Sequence, residues 1–236
     1  MLSAVPAHAH GAPTDPPSRA FLCSPGRQTA SSSPCRTAIA AGLPSTEWDD
    51  VRLANVAGQD TARVPDGKLC SAGLPRYAGL DQPRADWPAT RLTSTAFTYR
   101  ATIPHQGSFR FYVTRDGYSP ARPLRWADLE QFLTVPSPPL VNGAYRFTVQ
   151  LPKRTGRHVV YTVWQNTDTP DTYYSCTDVE LAAAPATASA RKPVPVASST
   201  EQPPSATTRI GLSAVIGAVG GLAVLGGFLL WRRRIL

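Results

Sequence analysis

The sequence predicts an all-β fold, a sandwich of antiparallel strands with long loops and short helices, followed by one transmembrane helix. Three observations support this: short β-type runs recur between turns, a long Pro- and Gly-rich region precedes them, and an uncharged apolar stretch lies near the C-terminus. The chain has 236 residues, which leaves room for one domain of ordinary size with appendages.

The β-type runs alternate apolar and polar side chains, as half-buried strands do. Turns such as RDGY and VNGAY separate the four runs, which are 96–103, 108–115, 144–152 and 157–165. This spacing is typical of an antiparallel sandwich. In residues 11–90, only PCRTAIAAG and its neighbourhood predict a short helix. Because long loops on a rigid sandwich usually carry the function, we expect functional residues there.

The C-terminal end predicts a membrane anchor. Residues 210–231 carry no charge, and as a helix they would span about 33 Å, enough to cross a bilayer. The basic tail 232–236 follows, so the positive-inside rule places it in the cytoplasm. We therefore expect a single-pass protein at the extracellular face of the membrane, with its N-terminus outside. Residues 183–209, mostly Ala, Pro, Ser and Thr, predict an unfolded linker.

The N-terminal end predicts a processing site. Ala7-His8-Ala9 has the small-x-small form that signal peptidase cuts, and cleavage would make His10 the first residue. Residues 1–9 are thus interpreted as the remnant of a signal peptide truncated at its own N-terminus. The working domain is then 10–182.

The four cysteines form no CxxC pair, so they predict disulfides in an oxidising compartment rather than a zinc or thioredoxin-like site. Sequence alone allows three pairings. We favour one short loop and one long-range link: Cys23–Cys35 and Cys70–Cys176.

Several function classes find no support. The net charge is +8, and three of the arginines that contribute to it lie in the C-terminal tail. The sequence has no basic patch interleaved with aromatic residues, so nucleic-acid binding is not predicted. Sequence motifs of serine hydrolases, nucleotide-binding loops and zinc proteases are absent. A carboxylate pair for glycoside hydrolysis stays open, because no motif singles two acids out.

The histidines are the most informative titratable residues. His158 lies within a strand-like run, where a structural role is expected. If His10 is the first residue, its α-amine, with a reference pKa near roughly 7.7–8, can lose its proton and bind a metal. Its imidazole would close a chelate ring, and His105 would add a third nitrogen. Three nitrogens in a planar, T-like array suit copper.

Several stretches, in order and spacing, resemble bacterial lytic polysaccharide monooxygenases of auxiliary-activity family 10, the chitin-binding protein type. They are HGAPTDPPSRAFLC (10–23), PDGKLCSAGL (65–74), ADWPATRL (85–92), ATIPHQGSFRFYVTRDGY (101–118), NGAYRF (142–147) and TGRHVVYTVWQNTDTPDTYYSCTDV (155–179). The likeness is greatest to compact actinobacterial members that act on chitin. It implies a fibronectin-III/immunoglobulin-like sandwich that holds one copper ion per chain.

The resemblance also implies site residues. His10 matches the ligand that binds through its amine and Nδ1, and His105 matches the second histidine. Tyr173 falls beside the axial position of the metal, where it could alter redox tuning or only pack under the site. Many members have alanine two residues before the second histidine, whereas this chain has Ile103.

The family also places a carboxylate near the copper. Glu47 is the first candidate and Asp49 the second, and an ordinary surface role is the alternative for both. The neighbouring Trp48 is a candidate for the substrate face, with burial in the core as the other interpretation.

The activity that the resemblance implies is oxidative. An external electron donor reduces the copper, H2O2 or O2 is the co-substrate, and C1 or C4 of a sugar in crystalline chitin is hydroxylated, with C1 favoured and cellulose as the alternative polymer. We expect a monomer with no nucleic-acid partner. Two other functions stay open: a membrane-tethered copper-binding protein for metal acquisition, and a non-catalytic chitin-binding module.

Overall fold

The computed structural model describes residues 9–182 of the chain. The predicted leader apart from Ala9, the linker 183–209, the transmembrane segment 210–231 and the tail 232–236 lie outside this range. Among residues 9–182, no helix is both long enough and apolar enough to cross a bilayer.

The described residues form two β-sheets and a few short helices. The strands are β1 (His10–Asp15), β2 (Arg52–Ala54), β3 (Thr90–Leu92), β4 (Ala96–Ile103), β5 (Gly107–Thr114), β6 (Leu129–Pro136), β7 (Leu140–Val141), β8 (Ala144–Thr148), β9 (Gly156–Asn166) and β10 (Asp171–Leu181). The α-helices are α1 (Arg19–Leu22), α2 (Ser33–Ala40) and α3 (Asp60–Arg63), and 3-10 turns cover Gln28–Ser31, Pro75–Asp81 and Trp126–Asp128.

The two sheets form a β-sandwich. One sheet has the order β1-β4-β8-β7, and the other has the order β2-β10-β9-β5-β6, with β3 beside β10. Neighbouring strands are antiparallel except for the β3–β10 pair. The predicted sandwich is therefore confirmed.

The sequence located four of the strands with small errors at their ends. The run 96–103 is β4, while 108–115 and 157–165 differ from β5 and β9 by one residue at each end. The run 144–152 ends earlier, at Thr148 in β8. The predicted short helix is α2, which has a proline in its first turn, where the missing N–H costs nothing.

An aromatic core fills the space between the sheets. Phe109 stacks on Trp164 with ring centroids 5.6 Å apart, and Tyr99 meets both rings edge-on. Tyr145 packs against Phe109 at 5.0 Å. All four side chains are buried, so the strand ends next to them are anchored on a dense core.

A second core lies between the larger sheet and the region that the sequence predicted as loops. It includes Tyr77 and Trp87 from that region and Tyr161 and Tyr174 from the sheet. Two disulfides stabilise this region, Cys23–Cys35 and Cys70–Cys176. They confirm the pairings predicted from the sequence. A buried ion pair between Arg19 and Asp178, 2.6 Å apart, ties α1 to β10.

Loss of the longer disulfide is expected to destabilise the domain more than loss of the shorter one. Cys70 and Cys176 are 106 residues apart, whereas Cys23 and Cys35 are 12 apart. In the chain-entropy model this difference amounts to about 2 kcal/mol in the free energy of unfolding. Urea unfolding of the C70A/C176A and C23A/C35A domains would measure it. Equal losses in the two variants would contradict the expectation.

Candidate metal centre

The register of the first two paired strands brings the predicted histidine ligands together. His10 opens β1 opposite Ile103, the last residue of β4, and His105 follows Ile103 by two residues. Both histidines therefore lie at the same end of the sandwich. Their side chains are partly exposed, 27% for His10 and 13% for His105.

The backbone around His10 is held by its neighbours. The Gly11 N–H donates to the Asp49 carbonyl at 2.9 Å, and the Tyr99 hydroxyl donates to the Gly11 carbonyl at 2.7 Å. A Cβ on Gly11 would lie 2.6 Å from the Tyr99 ring and 2.8 Å from the Arg100 carbonyl. Only glycine fits this close approach, so the residue after His10 is fixed by packing.

The backbone and ring of His105 are each fixed by one hydrogen bond. The Tyr145 hydroxyl, which extends from the inter-sheet core, donates to the His105 carbonyl at 2.6 Å. The Nδ1 atom of His105 is 3.0 Å from the Asp168 carboxylate in the β9–β10 turn. Metal-binding histidines commonly bond a carboxylate through the ring nitrogen that does not bind the metal. On this pattern, Nε2 of His105 is the ring nitrogen that would bind a metal.

The ring of His10 has the complementary orientation. Its Nε2 atom lies 3.7 Å from Asp50, which is buried and also pairs with Arg76 at 2.6 Å and Arg52 at 3.2 Å. Nδ1 is the ring nitrogen nearer to the main chain along the covalent structure, so it is the one that can close a chelate ring with the backbone nitrogen of the same residue. A chelate through Nδ1 and that nitrogen fits this orientation.

The described residues contain no group of three His, Cys, Asp or Glu side chains that could hold a metal ion. The α-amine that cleavage before His10 would create is a further donor, and together with two imidazoles it gives three nitrogen ligands. The residues present therefore fit a copper ion, for which nitrogen ligands are well suited.

Tyr173 lies beside the bond that this cleavage would break. It is 1% exposed, and its hydroxyl donates to the carbonyl oxygen of Ala9, which is fully buried. Burial raises the pKa of the phenol well above its ordinary value, so the hydroxyl stays neutral. Removal of Ala9 would take away the acceptor of a buried donor next to the His10 nitrogen. Tyr173 is thus placed to face whatever occupies that space.

The two carboxylates proposed from sequence have other partners. Glu47 forms an exposed ion pair with Arg76 at 2.5 Å, and Asp49 accepts a hydrogen bond from the Thr102 hydroxyl. The carboxylate that contacts His10 is Asp50, which sequence analysis did not single out. It follows Glu47 and Asp49 in the acidic run EWDD, and this run is the only sequence signal that could have pointed to it. No sequence pattern pointed to Asp168.

Trp48 is half-buried rather than fully displayed. Its ring meets Phe21 edge-on at 4.7 Å and packs against the second core. The ring is thus neither fully buried in the core nor fully exposed, and its place on a substrate face stays a prediction. His158, assigned a structural role, is buried and hydrogen-bonded to Thr114 at 2.9 Å.

Substitution of Asp168 by asparagine is expected to weaken Cu(II) binding by about 10- to 100-fold, because an amide orients the His105 ring less firmly and lowers its basicity. Competition titration of the domain that starts at His10 would measure the change. D116N is the matched control, since Asp116 is an exposed carboxylate in the turn after β5. An unchanged affinity in D168N would contradict the assigned role of Asp168.

Comparison with known proteins places this site in a family context. A family model described as "Lytic polysaccharide mono-oxygenase, cellulose-degrading" matches residues 10–179. The chain is 43% identical over 190 residues to chitin-binding protein CbpD of Pseudomonas aeruginosa. This alignment covers 75% of this chain and 49% of that protein. The chain is also 34% identical over 194 residues to a lytic cellulose monooxygenase of Streptomyces ambofaciens. That alignment covers 73% of this chain and 53% of the relative.

Solved structures show the same fold. The cellulose-active monooxygenase CelS2, solved in complex with copper, superposes with a TM-score of 0.67 at 32% identity and covers 74% of this chain and 100% of that chain. A monooxygenase important for the use of chitin in Cellvibrio japonicus gives a TM-score of 0.65 at 34% identity, with 72% and 99% covered. The chain spans about half the length of the two curated relatives from Pseudomonas aeruginosa and Streptomyces ambofaciens.

Proposed function

Because the chain belongs to the family of lytic polysaccharide monooxygenases, we propose that it cleaves glycosidic bonds of a crystalline polysaccharide oxidatively, with one copper ion held by His10 and His105. One observation carries the proposal most directly. The β1–β4 register brings the two histidines to one end of the sandwich, each with one ring nitrogen turned to a carboxylate. That arrangement suits a metal site with nitrogen ligands.

Each residue of the site has a separate task in this proposal. His10 binds through its amine and Nδ1, and His105 binds through Nε2. Asp50 and Asp168 orient the two rings and are positioning residues. Tyr173 keeps a neutral hydroxyl beside the His10 nitrogen. When bound, copper supplies the redox chemistry, taking an electron from an external donor and using H2O2 or O2 as co-substrate.

Chitin is the proposed substrate, with oxidation at C1. The chitin-binding protein CbpD shares 43% identity with this chain, against 34% for the cellulose monooxygenase of Streptomyces ambofaciens. This difference supports chitin and leaves cellulose as the second polymer to test.

The proposal includes processing and location. The family match begins at His10, which supports cleavage after Ala9. Both disulfides suit an oxidising compartment, which supports an extracellular site. The uncharged stretch 210–231 supports anchoring in the membrane, with the domain outside.

The direct test uses a domain that starts at His10, loaded with Cu(II) and supplied with ascorbate on β-chitin and on cellulose. Mass spectrometry should show aldonic-acid oligosaccharides from chitin. Oxidised products from cellulose alone would overturn the substrate assignment. Tight copper binding without oxidised products from either polymer would favour metal acquisition instead, and binding to chitin without copper affinity would favour a non-catalytic module.

A further inference from the structure

A surface groove of about 420 Å³ lies directly beside the histidine pair. His105 is one of its lining residues, so anything in the groove is next to a proposed copper ligand. Its lining divides into two kinds of surface. Pro138, Pro139 and Leu140 are apolar, whereas Gln106 and Asp168 are polar.

Leu140 is the most informative residue of the apolar side. It pairs with Tyr145 across the β7–β8 ladder, and paired residues of neighbouring strands present their side chains on the same face. Tyr145 is buried under that face, yet Leu140 is 42% exposed. The structure has therefore placed a large apolar side chain at the rim of the sandwich, in contact with solvent and next to the metal centre.

Exposed side chains of this kind are few. Within residues 9–182 the exposed large hydrophobic residues are Ile39, Ile103, Leu140 and Val141. Ile103 is the strand partner of His10, so two of the four adjoin the histidine pair. Exposed apolar surface beside a polar site commonly marks a binding surface.

The polar side limits the charge of a ligand. Asp168 is the one carboxylate in the lining, and the lining contains no Lys or Arg. The Asp168 carboxylate is 46% exposed and also accepts the Gln106 N–H at 3.3 Å. An anionic polymer would find no Lys or Arg in the lining and would meet the Asp168 carboxylate, whereas a neutral polymer meets no such penalty.

We infer that this groove is a subsite for one neutral pyranose unit of the polysaccharide chain that is cleaved, an inference that rests on the proposed function. A pyranose ring has apolar C–H faces and a rim of hydroxyl groups. Its face packs on Leu140 and the two prolines, and its rim hydroxyls bond Gln106 and the open part of Asp168. The groove thus sets which part of the chain lies over the metal.

The test compares two neighbouring substitutions, L140S and V141S. Val141 follows Leu140 in β7, so its side chain lies on the opposite face, and it is 47% exposed. The copper-loaded domains would be titrated onto β-chitin without reductant. L140S should bind about fivefold more weakly because it loses apolar contact, and V141S should match the unsubstituted domain. Copper affinity and substrate-free H2O2 formation with ascorbate should stay unchanged in both variants.

Three outcomes would overturn the inference: equal loss of binding in L140S and V141S, no loss in either, or stronger retention on an acidic polysaccharide than on chitin. Failure of the proposed function gives a different result. The unsubstituted domain would then yield no oxidised products, while its binding to chitin, and the effect of L140S on that binding, would still be measurable.

Discussion

H105A is expected to lower oxidised-product formation from β-chitin to background and to weaken Cu(II) binding by more than about a hundredfold. Loss of a residue that only orients a metal ligand costs about 10- to 100-fold, so loss of the ligand itself should cost more. The substitution removes the ring without freeing the loop, because the Tyr145 hydroxyl holds the backbone carbonyl at this position. Copper titration and product analysis by mass spectrometry would measure both effects.

Two controls separate loss of the ligand from loss of the fold. The metal-free H105A domain should still unfold in one cooperative transition at a urea concentration close to that of the unsubstituted one, since His105 belongs to neither core. H105G should regain part of its activity when imidazole is added. Full activity of H105A would refute the assignment of this histidine to copper.

A domain that keeps an N-acetylated Ala9 in front of His10 is the second variant with a large expected effect. The acetyl group removes the amine that Ala9 would offer to copper, and without that amine the His10 amide nitrogen keeps its proton, whereas an α-amine with a pKa near roughly 7.7–8 can release it to a metal. The extended domain should therefore lose most of its Cu(II) affinity, by about a hundredfold or more, and with it the oxidative activity. Ala9 is also fully buried against Tyr173, so it would crowd the space beside the nitrogen.

Preparing the domain with a free His10 amine and with acetylated Ala9 allows a direct comparison. Electron paramagnetic resonance should show coupling to three nitrogens only in the form that starts at His10. The extended form should still fold, because the buried contacts of β1 are the same in both. Equal copper affinities for the two forms would mean that the amine is not a ligand.

Strands with one exposed face could be predicted from the sequence, whereas a strand that is buried on both faces could not. The run 96–103 alternates in exposure along β4 and was found with its ends correct. β10 was missed as a whole strand because nearly every residue in it is buried, so its polar residues show no alternation. One face lies on the inter-sheet core through Tyr173, and the other lies on the second core through Tyr174. A strand covered on both sides gives no period-2 signal.

The same reasoning applies to the site. His10 and His105 could be found from residue type, position and resemblance. Asp50 and Asp168 could not, because each acts through a contact with a residue distant in the sequence. The 63-residue separation between His105 and Asp168 is closed only by the pairing of β5 with β9. Within EWDD, the turn that begins at Glu47 brings Asp50 next to His10, while Glu47 pairs with Arg76.

The burial of the Cys70–Cys176 bridge has a consequence for how such a domain would work. Its two cysteines are only 1% and 2% exposed, and thiolate attack on a disulfide requires access to a sulfur. The Cys70–Cys176 disulfide would therefore be shielded from small thiols that deliver electrons to a metal at the surface. Under the proposed function, the folded domain would therefore tolerate the reducing agents that supply electrons to the copper.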